Sequence, residues 1–235
     1  MSLEGTDLDK LALSTEKLLA GTDSEITTVG YYCNPIQYAE HRKTLENVIC
    51  TAGKFGATHV STFAGAWEGK PVESAYEEFG KVFRELADLA EEKGVKLGIE
   101  NCLMDGTWEH ATCNIGFNPK AWEVMFEEVK NDNFGLEWEP THQMVQLIDP
   151  VTELRKWCKK IVHIHGKDAT IDWDAVRHSG ISGAVPFVWH RMPGFGDTNW
   201  RDIISILRSN GYEDDICIEG YHDPVYSGEL EMTGQ

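Results

Sequence analysis

Ile161-Val162-His163-Ile164-His165-Gly166-Lys167-Asp168 is an apolar stretch that carries histidines at two alternate positions. Successive side chains of a β-strand point to opposite faces, so His163 and His165 share one face. Val162 and Ile164 then share the other face and point into an apolar layer. We therefore predict a strand here, with two imidazoles facing one interior.

Three other short apolar runs have the same design, and each ends in a carboxylate. The runs are 95–100, 134–139 and 216–219, and they end in Glu100, Glu139 and Glu219. By alternation, each terminal carboxylate lies on the face opposite the bulky apolar residues of its run. We predict that these polar ends converge at one mouth of a parallel sheet.

Strand-like and helix-like patterns alternate along the chain, which predicts a parallel sheet with helical crossovers. The predicted strands are 26–32, 58–63, 95–100, 134–139, 161–168, 187–191 and 215–219. The predicted helices are 8–20, 36–55, 74–93, 119–129, 150–160 and 200–209. Between the histidine-bearing strand and about Pro186, the chain is expected to be irregular.

A closed (β/α)8 barrel has eight strands, and only seven are predicted. No strand pattern precedes residue 26, and no apolar helix pattern follows Tyr221. The expected fold class is α/β, a (β/α)8 TIM barrel that lacks the first strand and the last helix in this chain, by truncation or by missing segments. With 235 residues and 41% hydrophobic content, we expect a single domain spanning 1–235.

The chain is strongly acidic, with a net charge of −18 and a pI near 4.8. Such a field repels phosphate backbones and anionic lipid surfaces, so nucleic acid and membranes are disfavoured as partners. The six cysteines show no CxxC spacing, which favours reduced thiols over a disulfide framework. The sequence shows no signal peptide and no apolar run long enough to span a bilayer, and we expect a cytoplasmic protein.

Five short motifs follow one another at the spacing expected of barrel strands. They are Gly-Ile-Glu-Asn at 98–101, Gly-Leu-Glu-Trp-Glu-Pro-Thr-His at 135–142, His-Ile-His-Gly-Lys-Asp at 163–168, Arg-Met-Pro-Gly-Phe-Gly at 191–196 and Ile-Glu-Gly at 218–220. Together they resemble the xylose-isomerase-like TIM-barrel superfamily. That superfamily includes sugar isomerases, ketose 3-epimerases, inosose dehydratases and type IV endonucleases.

The resemblance implies one divalent metal ion with four protein ligands, which are Glu100, Glu139, His165 and Glu219. Three carboxylates and one imidazole suit Mn²⁺, Mg²⁺ or Co²⁺; Mn²⁺ is favoured and Zn²⁺ stays open. The family usually has Asp where this chain has Glu139. The extra methylene of Glu139 moves the carboxylate outward, so the metal position and denticity stay open.

The resemblance also makes His142 and Arg191 substrate contacts. His142 lies just past a strand end, where it either donates to a substrate oxygen or caps a loop at the surface. Arg191 precedes the turn at 193–196, and its guanidinium either holds substrate oxygens or forms a salt bridge to Asp197 or Asp202.

Lys167 and Trp108 are two further candidates for substrate binding. Lys167 is adjacent to His165, and it either reaches the substrate or pairs with Asp168. Trp108 falls in a predicted loop at the mouth, where an aromatic ring can cover the apolar face of a sugar. Tryptophans also pack between barrel and helices, so both roles stay open for Trp108.

With the missing strand counted as the first, Glu100 ends strand four and Glu219 ends strand eight, on opposite sides of the mouth. One carboxylate near each face of the reacting carbon, with a metal that stabilises an enediolate, predicts a sugar isomerase or epimerase. A lyase such as an inosose dehydratase would use the same groups and stays open, as does a non-catalytic sugar-binding barrel. The expected partner is a small-molecule sugar, and homo-oligomerisation stays open.

Glu137 and His163 are predicted to support the ligands from one layer deeper. Glu137 shares a face with Glu139, and His163 shares a face with His165. Their strands are consecutive, and consecutive barrel strands are neighbours, so the two side chains can pair. Pairing satisfies two buried polar groups and orients the ligands. Alternatively, a twist or bulge turns Glu137 outward to a helix lysine.

Overall fold

The computed structural model describes residues 6–220 and 222–225. The chain divides into two compact units, residues 1–137 and 138–235, which are described in turn. The single domain over 1–235 stays a prediction. Within the described residues, no helix combines the length and the apolar character needed to cross a membrane.

The first unit alternates helices and parallel strands. Its elements are α1 (Leu8–Leu19), β1 (Thr28–Gly30), α2 (Ala39–Thr51), β2 (His59–Thr62), α3 (Tyr76–Lys93), β3 (Lys96–Glu100), α4 (Pro119–Glu128) and β4 (Phe134–Trp138), which runs to the boundary. Short 3-10 helices at Ala52–Phe55 and Val72–Ala75 adjoin α2 and α3. The strands pair in the order β1–β2–β3–β4, all parallel, as the alternation predicts.

Helix α4 begins where the sequence predicts. The side chain of Asn118 accepts hydrogen bonds from the backbone N–H groups of Lys120 and Ala121, at 3.0 and 3.3 Å. Pro119 occupies the first helical position, where its missing N–H group costs nothing. The capping residue and the proline together fix this end of the crossover helix.

Helix α3 is held against the sheet by aromatic packing. Phe79 and Phe83 stack on each other with ring centroids 4.6 Å apart. Phe83 also lies 5.9 Å from Phe134 at the start of β4. Burying each such ring contributes about 1.5–3 kcal/mol, so this cluster fixes the helix over the strands.

The second unit contains shorter elements. They are α5 (Pro140–Met144), α6 (Pro150–Trp157) followed by a 3-10 turn (Cys158–Lys160), β5 (Ile161–Gly166), β6 (Asp168–Ile171), α7 (Trp173–Ser179), β7 (Val188–Arg191), α8 (Trp200–Ser209) and β8 (Ile216–Ile218). Strand β5 pairs with β8 in parallel, and β6 pairs with β7 antiparallel.

The predicted strand at 187–191 exists, but its predicted place in the parallel sheet is wrong. Strand β7 pairs antiparallel with β6, which lies in the stretch expected to be irregular. Strand β5 therefore pairs directly with β8. Alternation of side chains identifies a strand, but the choice of partner depends on turns and long-range contacts that a local pattern does not contain.

Candidate metal centre

Three of the predicted metal ligands lie side by side in the second unit. Glu139 directly follows β4, His165 lies in β5, and Glu219 directly follows β8. One ligand atom of each lies within 4.8 Å of the others. The Nδ1 atom of His165 is 3.3 Å from Glu219 Oε2 and 3.8 Å from Glu139 Oε2.

The register of β5 and β8 brings two of these ligands together. His165 is the pairing partner of Cys217, and the backbone N–H of Glu219 donates to the carbonyl of Gly166 at 3.1 Å. Side chains two residues apart share a face of a strand, so Glu219 projects on the same side as Cys217 and His165. Continuation of this register by two residues brings Lys167 opposite Glu219.

The separations between these atoms fit coordination of one ion. Two ligands that each lie about 2.1 Å from an ion at a tetrahedral angle are about 3.4 Å apart. The observed 3.3 and 3.8 Å separations between His165 and the two carboxylates are close to that value. Carboxylates with one imidazole suit a divalent ion such as Mn²⁺, Mg²⁺, Co²⁺ or Zn²⁺. The residues present therefore fit the ion that the sequence predicts.

Neighbouring groups keep both carboxylates ionised. Burial raises the pKa of Glu139, but the imidazole of His142 and the charge of Lys167 outweigh burial and hold this pKa well below its usual value. Burial also raises the pKa of Glu219, but a hydrogen bond from His165 and the nearby Lys167 bring it below its usual value. Ionised carboxylates are the form that binds a cation.

His142 lies in the short helix α5, next to the ligand that precedes it in the chain. Its Nε2 atom is 3.4 Å from Glu139 Oε2, and its side chain is only 12% exposed. The low exposure and this contact place His142 at the candidate site rather than on the outer surface. Its contact with a substrate stays a prediction.

Lys167 makes contacts that the sequence does not indicate. Its Nζ atom is 3.0 Å from Glu219 Oε1 and 3.5 Å from Glu139 Oε1, and its side chain is 2% exposed. Asp168, the alternative partner, accepts hydrogen bonds from backbone N–H groups of the loop after β7. Lys167 therefore bridges two of the predicted metal ligands, and its direct contact with substrate stays a prediction.

Arg191 is paired with an acidic residue, but with neither of the two that the sequence suggests. Its Nε atom donates to Asp223 Oδ2 at 3.1 Å. The same carboxylate oxygen accepts from the backbone N–H of Met192 at 2.8 Å, and Asp223 is fully buried. A buried carboxylate thus holds the guanidinium and the backbone beside it, which fixes the direction in which Arg191 projects.

Two further histidines lie next to each other, and one of them, His222, approaches Glu219. The ring of His190 is 5.3 Å from that of His222, and His222 Nδ1 is 3.7 Å from Glu219 Oε1. Burial lowers the pKa of His190 to about 4. His222 follows Glu219 by three residues, just as His142 follows Glu139. That repeated spacing is the signal that could have identified His222.

The first unit places two buried carboxylates at the same level of neighbouring strands. Glu100, the last residue of β3, is the pairing partner of Glu137 in β4. Glu100 is 7% exposed and Glu137 is fully buried. The hydroxyl of Tyr32 donates to Glu137 Oε2 at 2.9 Å, a contact that the sequence does not indicate. Ligation by Glu100 and the pairing of Glu137 with His163 stay predictions.

Trp108 and His163 are the two remaining candidates, and each contacts residues of its own unit. Trp108 donates its indole N–H to Glu73 and packs edge-on against Phe117, with centroids 6.3 Å apart. Its contact with a sugar stays a prediction. His163 is buried, and its ring lies 5.8 Å from that of His165 at an 82° angle, as expected for two side chains on one face of a strand.

Comparison with known sequences gives a family match and related enzymes. The pattern of the family described as "Xylose isomerase-like TIM barrel" matches residues 5–233. An inosose dehydratase from Clostridium tetani is 26% identical over 172 residues, which cover 71% of this chain and 55% of that enzyme. The chain thus spans about half the length of curated relatives such as this one.

Solved structures share the fold over nearly the whole chain. A xylose isomerase domain protein from Planctomyces limnophilus superposes with a TM-score of 0.73 at 17% identity, over 96% of this chain and 82% of that one. The IOLI protein, crystallised with a zinc atom, superposes with a TM-score of 0.67 at 21% identity, over 95% of this chain and 76% of that one. The predicted α/β barrel class is confirmed.

Proposed function

Because this chain belongs to the xylose isomerase-like TIM barrel family, we propose that it is a divalent-metal-dependent isomerase or epimerase of a sugar or related polyol. The convergence of Glu139, His165 and Glu219 in the second unit is the observation that carries this proposal. Glu100 is proposed as the fourth ligand. A divalent ion bound there supplies a Lewis acid, which polarises a substrate oxygen and stabilises the negative charge that develops beside it.

Glu219 is proposed to move the proton. Its side chain is 18% exposed, so a substrate can reach it, and its lowered pKa keeps it ionised and able to accept a proton. The proton would leave a carbon next to the carbonyl group. Delivery of a different proton by protonated Glu100 to the opposite face of the same carbon gives an epimer and leaves Glu219 protonated. Return of the first proton by Glu219 to the former carbonyl carbon, with the hydroxyl proton moving to the former carbonyl oxygen, gives an isomer.

His142, Arg191 and Trp108 are proposed to bind the substrate. His142 lies beside Glu139 and offers an imidazole to a substrate oxygen. Arg191 is oriented by Asp223, so its guanidinium can hold hydroxyl oxygens in a fixed direction. Orientation of this kind restricts which carbon faces the proton acceptor.

Dehydration is the second candidate, and the inosose dehydratase from Clostridium tetani favours it. Removal of a proton next to a carbonyl can be followed by loss of a hydroxyl group from the adjacent carbon instead of by reprotonation of the carbon. The hydroxyl group would leave as water with the proton that Glu219 has taken up, and a carbon–carbon double bond would form. The first step then uses the same carboxylates and the same ion. The two candidates differ only in the fate of the deprotonated substrate.

Proton NMR in D₂O separates the two candidates. The protein, stripped of metal and reloaded with Mn²⁺, would be incubated with a panel of ketoses and keto-inositols. An isomerase or epimerase gives a product that is an isomer of the substrate, apart from any deuterium introduced next to the carbonyl. A dehydratase gives an unsaturated product with new ultraviolet absorbance.

Two variants make the experiment specific to the site. Glu219→Gln should reduce turnover about 100-fold or more, because the carboxylate that accepts the proton is lost. Glu127→Gln removes an exposed carboxylate paired with Lys130 and should leave turnover unchanged. Full activity of Glu219→Gln would contradict the proposal.

A further inference from the structure

Lys167 is a buried cation placed between two carboxylates that come from different parts of the chain. Its ammonium lies 3.0 Å from Glu219 and 3.5 Å from Glu139, and its side chain is 2% exposed. The register of β5 and β8 fixes the first contact, since Lys167 is level with Glu219. Lys167, Glu139 and Glu219 thus form a triad. Because Lys167 and Glu139 are shielded from water, their charges interact more strongly than those of a surface ion pair.

The contacts divide the four carboxylate oxygens into two sets. The Oε1 atoms of Glu139 and Glu219 lie next to Lys167. The Oε2 atoms of the same two residues lie next to His165 Nδ1, and Glu139 Oε2 also lies 3.4 Å from His142 Nε2. One side of the carboxylate pair therefore faces an ammonium, and the other faces an imidazole that can bind an ion.

We propose that Lys167 competes with the divalent ion for the negative charge of Glu139 and Glu219, and so weakens metal binding while stabilising the metal-free protein. The inference rests on the metal site of the proposed function. Two ionised carboxylates without a cation would repel each other at this depth, and Lys167 removes that cost when no metal is bound. When the metal is bound, the ammonium repels it through the same low-dielectric medium.

The alternative role of Lys167 is to orient the carboxylates, and it predicts the opposite result. Loss of an orienting residue usually weakens metal binding by about 10 to 100-fold. The Oε2 atoms, however, are also approached by His165, and by His142 at Glu139. His165 and His142 therefore also orient the ligand oxygens. Removal of Lys167 should mainly relieve the repulsion between its ammonium and the metal ion.

Isothermal titration of metal-stripped protein with Mn²⁺ tests the inference. Lys167→Met keeps the length of the side chain and removes its charge, and it should bind Mn²⁺ at least about tenfold more tightly than the wild type. Its melting temperature should fall more in the metal-free form than in the Mn²⁺-loaded form. Lys156→Met removes an exposed lysine paired with Glu153 and should change neither quantity.

Lys167→Gln provides the second variant if Lys167→Met does not fold without metal. Glutamine retains N–H donors for the two carboxylates but lacks the charge, and tighter Mn²⁺ binding is again expected. Equal or weaker binding by both variants, with normal binding by the wild type, would overturn the inference and leave the proposed function standing. Absence of Mn²⁺ binding by the wild type would overturn both.

Discussion

Substitution of Asp168 by asparagine should destabilise the second unit strongly. The Asp168 carboxylate is fully buried and accepts four backbone hydrogen bonds. Its Oδ1 atom accepts from Ala169 and Thr198 at 2.8 and 3.1 Å, and its Oδ2 atom accepts from Gly194 and Gly196 at 3.0 and 3.1 Å. The carboxylate therefore ties the loop after β7 to the start of β6.

Asparagine would present an NH₂ group to two of these four N–H donors. Two hydrogen bonds to a charged group would be lost, at about 1.5–3 kcal/mol each, which gives a decrease of about 3–6 kcal/mol in the free energy of unfolding. Urea denaturation followed by tryptophan fluorescence measures this change. Asp174→Asn, at a carboxylate that is 95% exposed, should stay within about 0.5 kcal/mol of the wild type. A loss below about 1 kcal/mol for Asp168→Asn would refute the role assigned to these hydrogen bonds.

Two further predictions concern groups that the sequence did not single out. Tyr32→Phe removes the hydrogen bond to buried Glu137 and should lower the free energy of unfolding by about 1–3 kcal/mol in urea; an unchanged value would argue against that contact. Because burial lowers the pKa of His190 from 6.5 to about 4, the folded protein binds this proton less readily than the unfolded chain. The stability from neutral His190 is present above pH 6.5 and is lost as the pH falls towards 4, so the wild type should lose more stability than His190→Gln over this range. The same change in the free energy of unfolding with pH in both proteins would contradict this role of His190.

Local patterns were sufficient for the elements that depend on neighbouring residues. Pro119 suits the first turn of a helix and predicts the start of α4, and the helix predicted at 200–209 is α8. Alternation in 161–168 placed His163 and His165 on one face, as the structure shows. Each of these features is decided within a few residues of the chain.

Features that depend on distant residues were missed. The partner of β7 and the contact of Lys167 with Glu219 both follow from strand pairing across long sequence separations. Asp223, which binds Arg191, lies 32 residues away from it in the sequence. Acidic residues nearer to Arg191 are equally suitable partners when only the sequence is considered. A local pattern shows which face a side chain occupies, but the register between two strands decides which groups meet.

The most direct test of the account is the metal content of protein loaded with Mn²⁺ and then desalted, measured by plasma mass spectrometry. The wild type should retain one ion per chain, and His165→Ala should lose it, because the imidazole within 3.3 Å of Glu219 is removed. His178→Ala, at an exposed histidine of α7, serves as the control and should retain the ion. Retention of Mn²⁺ by His165→Ala at the wild-type level would contradict the metal centre formed by Glu139, His165 and Glu219.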